Sequence, residues 1–124
     1  MRSREEVLEF KRELERRTAR FAVSVFRYLD ILPKKNSYKI IAFQLGKSAS
    51  SVGANYREAN RAESYDDFVH KIGVALKECS ESLYWLEILI ELTDQDETGR
   101  QLYNECNEIL AILQTANRKM RSGK

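Results

Sequence analysis

A single proline, Pro33, stands in a chain of 124 residues whose apolar side chains recur at steps of three and four over most of its length. That spacing marks helices buried along one face, and so few breakers favour a small number of long elements. Ser3-Arg4-Glu5-Glu6 has the capping-box form, a serine cap with glutamate three residues on. Behind it, Val7, Phe10, Leu14, Phe21, Val25, Tyr28 and Leu32 trace one seam, and Ala19, Ala22, Phe26 and Leu29 form a second stripe beside it. Proline disfavours helical geometry in the residue before it, so this helix is expected over residues 4–32.

Lys34-Lys35-Asn36-Ser37 is a polar connection, with Asn36 or Ser37 as the expected next cap. The second helix, expected over 37–62, carries Tyr38, Ala42, Leu45, Ala49, Val52, Tyr56 and Ala59 in alternating steps of four and three. Ser64 with Asp67 gives a further start signal, for a helix over 65–92 on Phe68, Ile72, Ala75, Cys79, Leu83, Leu86 and Ile90. The polar stretch 93–99 leads into a fourth helix, expected over 99–120, on Leu102, Cys106, Ile109, Leu113, Ala116 and Met120. No strand pattern or repeat interrupts this series. Four helices with short connections predict an all-α, antiparallel up-down-up-down four-helix bundle filling one domain, 1–124.

Within the second helix, residues 44–59 are unusually thin, with two glycines, three serines and two alanines between Gly46 and Ala54. A glycine inside a helix costs roughly 1 kcal/mol against alanine. Close helix approach is the physical offset, with Gly46, Ala49 and Gly53 as the contact points, because small side chains let a neighbour sit nearer than the usual ~8–10 Å. By contrast, the ends of the first and third helices are apolar over more than one face. A bundle monomer rarely leaves such a surplus in water, so self-association is expected.

Several function classes are disfavoured. No uncharged apolar run reaches the roughly 18 residues that would suggest a membrane span, and the N-terminus lacks a secretory h-region. A cytoplasmic location is expected, with Cys79 and Cys106 as reduced core thiols. Gly46-Lys47-Ser48 looks like the end of a P-loop, but Ile41 stands where another glycine is required, and no strand precedes it. His70 is the only histidine, which leaves no second one for a triad, relay or zinc cluster. The acidic pairs Asp66-Asp67 and Glu78-Glu81 read as a solvated face. With no nucleophile beside a base, no enzymatic activity and no cofactor are expected.

The formal net charge of +2 hides a segregation. Residues 1–35 carry ten basic and six acidic side chains, 36–63 four and two, 64–98 two and nine, and 99–124 five and two. Candidate contacts for nucleic-acid phosphates are Arg16, Arg17, Arg20, Lys34, Lys35, Arg118, Lys119 and Arg121. Stacking on bases is not expected, since most aromatics fall on core seams away from these cations. Arg57 and Arg61 share a helix face, and their expected partners are carboxylates of the third helix such as Asp66 or Glu78.

Ser51, Val52, Gly53, Ala54 and Asn55, followed by Arg57, Glu58, Ala59 and Arg61-Ala62-Glu63-Ser64, resemble the signature of the bacterial four-helix bundle proteins, also called 23S ribosomal RNA intervening-sequence proteins. Asp67-Phe68, His70-Lys71, Ala75-Leu76-Lys77-Glu78 and Tyr84-Trp85-Leu86-Glu87 are similar to the family's third-helix pattern. Gly73 departs from it, and Val52 stands for a commoner isoleucine. The resemblance implies a bundle assembling into a ring, by analogy a homopentamer. A related bundle, the accessory variability protein of diversity-generating retroelements, is a basic pentamer that binds a reverse transcriptase and nucleic acid. The implied partners are therefore further copies of the chain, RNA or DNA, and a reverse transcriptase or other protein. The expected function is a non-catalytic, ring-forming, nucleic-acid-associated protein. The alternative is an oligomeric protein-binding adaptor without nucleic-acid affinity.

Overall fold

The computed structural model describes residues 2–122, with side chains described as far as Lys119. It contains four helices, α1 (Arg4–Asp30), α2 (Asn36–Ala59), α3 (Tyr65–Leu92) and α4 (Glu97–Ser122), and no strand among the described residues. Each helix packs on its sequence neighbours, and α4 returns to α1 along the sparsest of the four seams. The pairings run backwards in every case. Phe26 lies against Gly46 and Thr18 against Gly53; Ser48 meets Ser82, and Cys79 meets Cys106; Arg17 reaches Glu105, and Tyr28 reaches Asp96. This is the antiparallel up-down-up-down order that the short connections predict.

Local chemistry accounts for the helix ends. Ser3 and Glu6 form the expected capping box, with both reciprocal bonds at 3.1 Å, and Ser64 accepts from the Asp67 amide at 3.0 Å. α1 stops at Asp30, two residues before the expected end, and Ile31 caps it. Pro33 strips helical geometry from the residue before it, and the last turn unwinds ahead of that point. The cap of α2 is Lys35, without a side-chain bond, rather than Asn36 or Ser37. At its other end α2 closes at Ala59, and the Arg61 and Ala62 amides bond three residues back in a tight final turn.

α3 ends in a Schellman arrangement without glycine. The Gln95 amide donates to the Ile90 carbonyl and the Asp94 amide to that of Glu91, while Asp94 and Gln95 take left-handed φ values of 54° and 68°. Gly99 lies inside the first turn of α4 rather than ahead of it. A Cβ there would come within 3.2 Å of Ile90 and 3.4 Å of the Tyr28 hydroxyl.

The core follows the seams read from the spacing except at Ala42, Leu83 and Ile90. These are only partly covered while their neighbours Ile41, Ser82 and Leu89 are buried, because the buried face drifts by one position along each helix. Leu14, Phe21, Val25, Leu45, Ala49, Val52, Ile72, Ala75, Leu86, Ile109 and Leu113 are buried together. Two polar pairs sit among them. Ser48 and Ser82 share a 2.8 Å hydrogen bond between α2 and α3, and the Cys79 and Cys106 sulfurs lie 3.6 Å apart as free thiols. The hydrogen-bonded Cys79 thiol, and then burial, push the Cys106 thiol far above its ordinary range, so it stays protonated. Thr18, fully buried, donates back to the Leu14 and Glu15 carbonyls, which fixes its hydroxyl against Gly53.

That contact is the closest approach in the bundle at a glycine. A Cβ on Gly53 would stand 2.8 Å from Thr18 Oγ1 and 3.1 Å from Thr18 Cβ, whereas a Cβ on Gly73 would meet nothing within 4 Å. Gly53→Ala is therefore expected to destabilise by about 1–3 kcal/mol through overpacking, and Gly53→Leu by more. Gly73→Ala should stabilise by up to about 1 kcal/mol through helix propensity alone. Urea unfolding of the three variants checks both signs.

Tyr28 adds a pH dependence. Burial, and then its 2.5 Å bond to Asp96, push its phenol up to about 12. The folded state holds this proton more tightly than the unfolded chain, whose phenol titrates near 10. The contribution is intact below about pH 10 and is lost as pH rises towards 12. Tyr28→Phe should flatten the fall in melting temperature over that interval without abolishing it, because Tyr56 and Cys106 are shifted the same way.

Candidate nucleic-acid interface

The basic side chains singled out from the sequence fall into three separate places. Arg16, Arg17 and Arg20 lie in the middle of α1, and each faces carboxylates of its own chain. Arg16 binds Glu9 and Glu13 at 3.0 Å, and Arg20 binds Glu13 at 2.9 Å. Arg17 makes a two-pronged bond to Glu105 at 2.8 and 2.7 Å and reaches Glu108 at 3.0 Å. These contacts push the Arg17 guanidinium far above its usual range. The fork spans α1 and α4, the most sparsely packed of the neighbouring pairs, and so helps to hold the bundle closed.

Lys34 and Lys35 stand exposed in the connection between α1 and α2 and make no ion pair among the described residues. Arg118 and Lys119 lie at the other end, near the end of α4, where Arg118 donates to the Thr115 hydroxyl at 3.3 Å. Helices of this length separate the two ends by about 40 Å. Arg121 lies outside the described side chains.

The pairing expected for Arg57 and Arg61 is different in the structure. Arg57 approaches Glu15 of α1 at 4.0 Å, and Arg61 donates to the Arg57 carbonyl. It is Lys71 of α3 that crosses to α2, binding Glu58 at 3.1 Å. The reason is the direction of Cβ bonds on α2, which turns Arg57 towards α1 and Glu58 towards α3. Glu15 also accepts from the Asn60 amide at 3.0 Å, while the Asn60 carbonyl oxygen is buried without a partner.

At this end of the bundle the start of α1 lies beside the last turns of α4, and all four helices contribute to an open cleft of about 940 Å³. Val7 and Phe10 of α1, Tyr56 of α2, Phe68 of α3 and Ile112 of α4 form much of its wall, with Asn60 and Thr115 as polar members. Arg2, Lys11 and Lys119 line it, and no carboxylate does among the described residues. The Arg2 guanidinium sits 4.6 Å above the centre of the Phe10 ring. Burial holds the Tyr56 phenol above its ordinary range, so its O–H remains protonated. Contrary to the expectation that aromatics stand apart from the cations, three aromatic rings share this cleft with Lys119. Sequence reasoning missed Arg2 and Lys11. The available signal was topological, because an up-down-up-down bundle returns its last helix to the level of its first residues.

A second surface is apolar. Val23, Phe26, Ile31, Ile40 and Phe43 are exposed along α1 and α2, with Phe43 68% accessible. Phe26 lies over Gly46, one helical turn from Phe43. The apolar surplus expected on α1 and α3 is thus joined by Ile40 and Phe43 of α2. α3 lies between α2 and α4 and covers most of its own excess, with Tyr84 and Leu92 left exposed.

The internal pairing of Arg17 leads to a test. Arg17→Met should lower stability by about 1 kcal/mol, given its partial exposure and solvent screening, and leave low-salt nucleic-acid affinity within about twofold. Urea unfolding and fluorescence anisotropy measure the two. A large loss of affinity at unchanged stability would identify Arg17 as a phosphate contact instead.

No helix among the described residues is long and apolar enough to cross a membrane, and no group of three or more His, Cys, Asp or Glu is placed to hold a metal. No curated protein matches the chain. A solved structure of a protein with unknown function from the S23 ribosomal protein family of Bacteroides thetaiotaomicron VPI-5482 superposes with a TM-score of 0.77 at 31% identity. The match covers 84% of this chain and 97% of that one. The profile described as 23S rRNA-intervening sequence protein matches residues 11–115. With signature, bundle and helix order in agreement, the chain belongs to the 23S rRNA-intervening sequence protein family.

Proposed function

We propose that this chain is a non-catalytic, self-assembling protein of the cytoplasm that binds RNA or DNA through the phosphate backbone. The observation that supports this most is the end of the bundle where Arg2, Lys11 and Lys119 converge on one cleft, with no carboxylate among its described lining residues. Lys34 and Lys35 supply a second cationic site at the opposite end. Arg16, Arg17 and Arg20 are compensated by neighbouring carboxylates and act mainly within the fold.

Self-association joins these separate patches into one surface. The exposed stripe of Val23, Phe26, Ile40 and Phe43 is the contact face, and the family resemblance favours a ring of five. Each cationic end then repeats in every subunit, so weak contacts add through effective concentration. Sequence specificity is low because phosphates carry no base information.

Two measurements test this reading. Size-exclusion chromatography with light scattering should give a mass of several chains, five for the ring. Phe43→Glu should reduce it to one chain with unchanged helix content. In fluorescence anisotropy, log K should fall by about 0.7–0.9 per contacted phosphate for each tenfold rise in salt. Replacing Lys34 and Lys35 together, or Arg118 and Lys119 together, with glutamate should weaken binding about tenfold at 50 mM salt. An assembled protein that binds no oligonucleotide at low salt would instead be a protein-binding adaptor.

A further inference from the structure

We infer that the cleft between the start of α1 and the last turns of α4 accepts an unstacked nucleobase of a single strand, with the adjoining phosphates held by Arg2, Lys11 and Lys119. The inference rests on the nucleic-acid reading above and adds a base-binding site to it. Three features of the cleft combine. Its volume, about 940 Å³, lies in the range of sites that enclose small molecules and leaves room for a base with its sugar. Its wall includes the partly buried rings of Phe10, which carries Arg2 over one face, and Phe68, and every base has a face that stacks on such rings. Its charged members among the described residues are all cations.

An acyl chain with an anionic head shares the last of these features and fits the rest poorly. The cleft is not a dry apolar slot, because Tyr56, Asn60 and Thr115 bring polar groups into its lining. An alkyl chain would cover such groups without bonding to them, at the cost of their hydration. A base edge carries both donors and acceptors. Asn60 and Thr115 are polar residues of the lining, and the Asn60 carbonyl oxygen is buried without a partner while its amide donates to Glu15.

A duplex keeps its bases stacked and paired, out of reach of such a cleft, whereas a single strand or frayed end presents them freely. The site therefore confers preference for single strands, which phosphate contacts by themselves do not.

Anisotropy with a labelled thymidine dodecamer and an abasic dodecamer of equal charge, both at 50 mM salt, separates the two layers of binding. The base-bearing strand should bind at least about fivefold tighter, the lower end of the effect of one stacked base. Phe10→Leu and Phe68→Leu, which retain apolar volume, should each shrink that ratio, while Lys11→Gln should weaken both strands alike. The wild-type ratio decides whether a base is bound, and either folded phenylalanine variant decides whether the cleft binds it. Equal binding of the two strands overturns the base site and leaves the phosphate reading intact, and no binding of either removes both. A ratio unchanged in both phenylalanine variants places the stacking elsewhere and overturns the inference. Displacement of neither strand but saturable binding of dodecanoate would give the cleft to an acyl chain and likewise overturn it.

Discussion

The bundle depends on how closely α1 and α2 approach each other. Thr18 and Phe26 of α1 occupy the space that side chains at Gly53 and Gly46 of α2 would otherwise fill. Thr18 is held there by its own bonds to the preceding turn, so the contact is a rigid ridge set into a glycine notch. Two consequences follow from geometry. Drawing α1 inwards at Gly53 buries a polar hydroxyl that is already satisfied, at little electrostatic cost. Nearer the α1–α2 connection, Phe26 rides over Gly46 and remains 46% accessible, so the same notch leaves an aromatic ring half in water. The helix contact and the candidate assembly face are thus two sides of one arrangement.

The opposite seam is built differently. α1 and α4 touch sparsely, and charged groups stand in for apolar packing there, with Arg17 forked onto Glu105 and Tyr28 bonded to Asp96. Directed polar contacts fix register where few apolar contacts do so. They also withdraw cations from the surface. A count of basic residues along α1 overstates what is available to a polyanion, because Glu9, Glu13, Glu105 and Glu108 face three of them.

The seams, the order of the helices and the glycine contacts were legible in the sequence because each depends on local spacing or on residue size. Leu45, Val52, Ile72 and Leu113 lie where a step of three and four puts them, and Ser3 and Ser64 cap as their neighbours require. Partner choice among charged side chains was not legible. Arg57 turns to Glu15 and Lys71 to Glu58 because of helix rotation and interhelical offset, quantities that no single helix encodes. Exposure of Ile40 and Phe43 was equally hidden, since an apolar residue off the main seam carries no mark of whether a neighbour covers it. Likewise, Asp94 and Gln95 close α3 in left-handed geometry with no glycine to announce it.

The location of the cleft follows from the same periodicity that builds the core. Inside the bundle, each seam residue is covered by layers above and below it, and Leu14, Ile72 and Leu113 are buried accordingly. At the end, the last members of each seam lack a further layer. Val7 is 40% accessible although it continues the α1 seam, and Phe10, Phe68 and Ile112 are only partly covered. Long basic side chains suit such an edge, because their apolar stems lie along the exposed rings while their charges reach water. Arg2 over Phe10 is one instance. Antiparallel order brings the first turn of α1 beside the last turns of α4, so Arg2, Lys11 and Lys119 gather at one mouth although 117 positions separate the first from the last. An uncovered aromatic edge and a cluster of cations therefore coincide through topology, without a sequence motif to signal them.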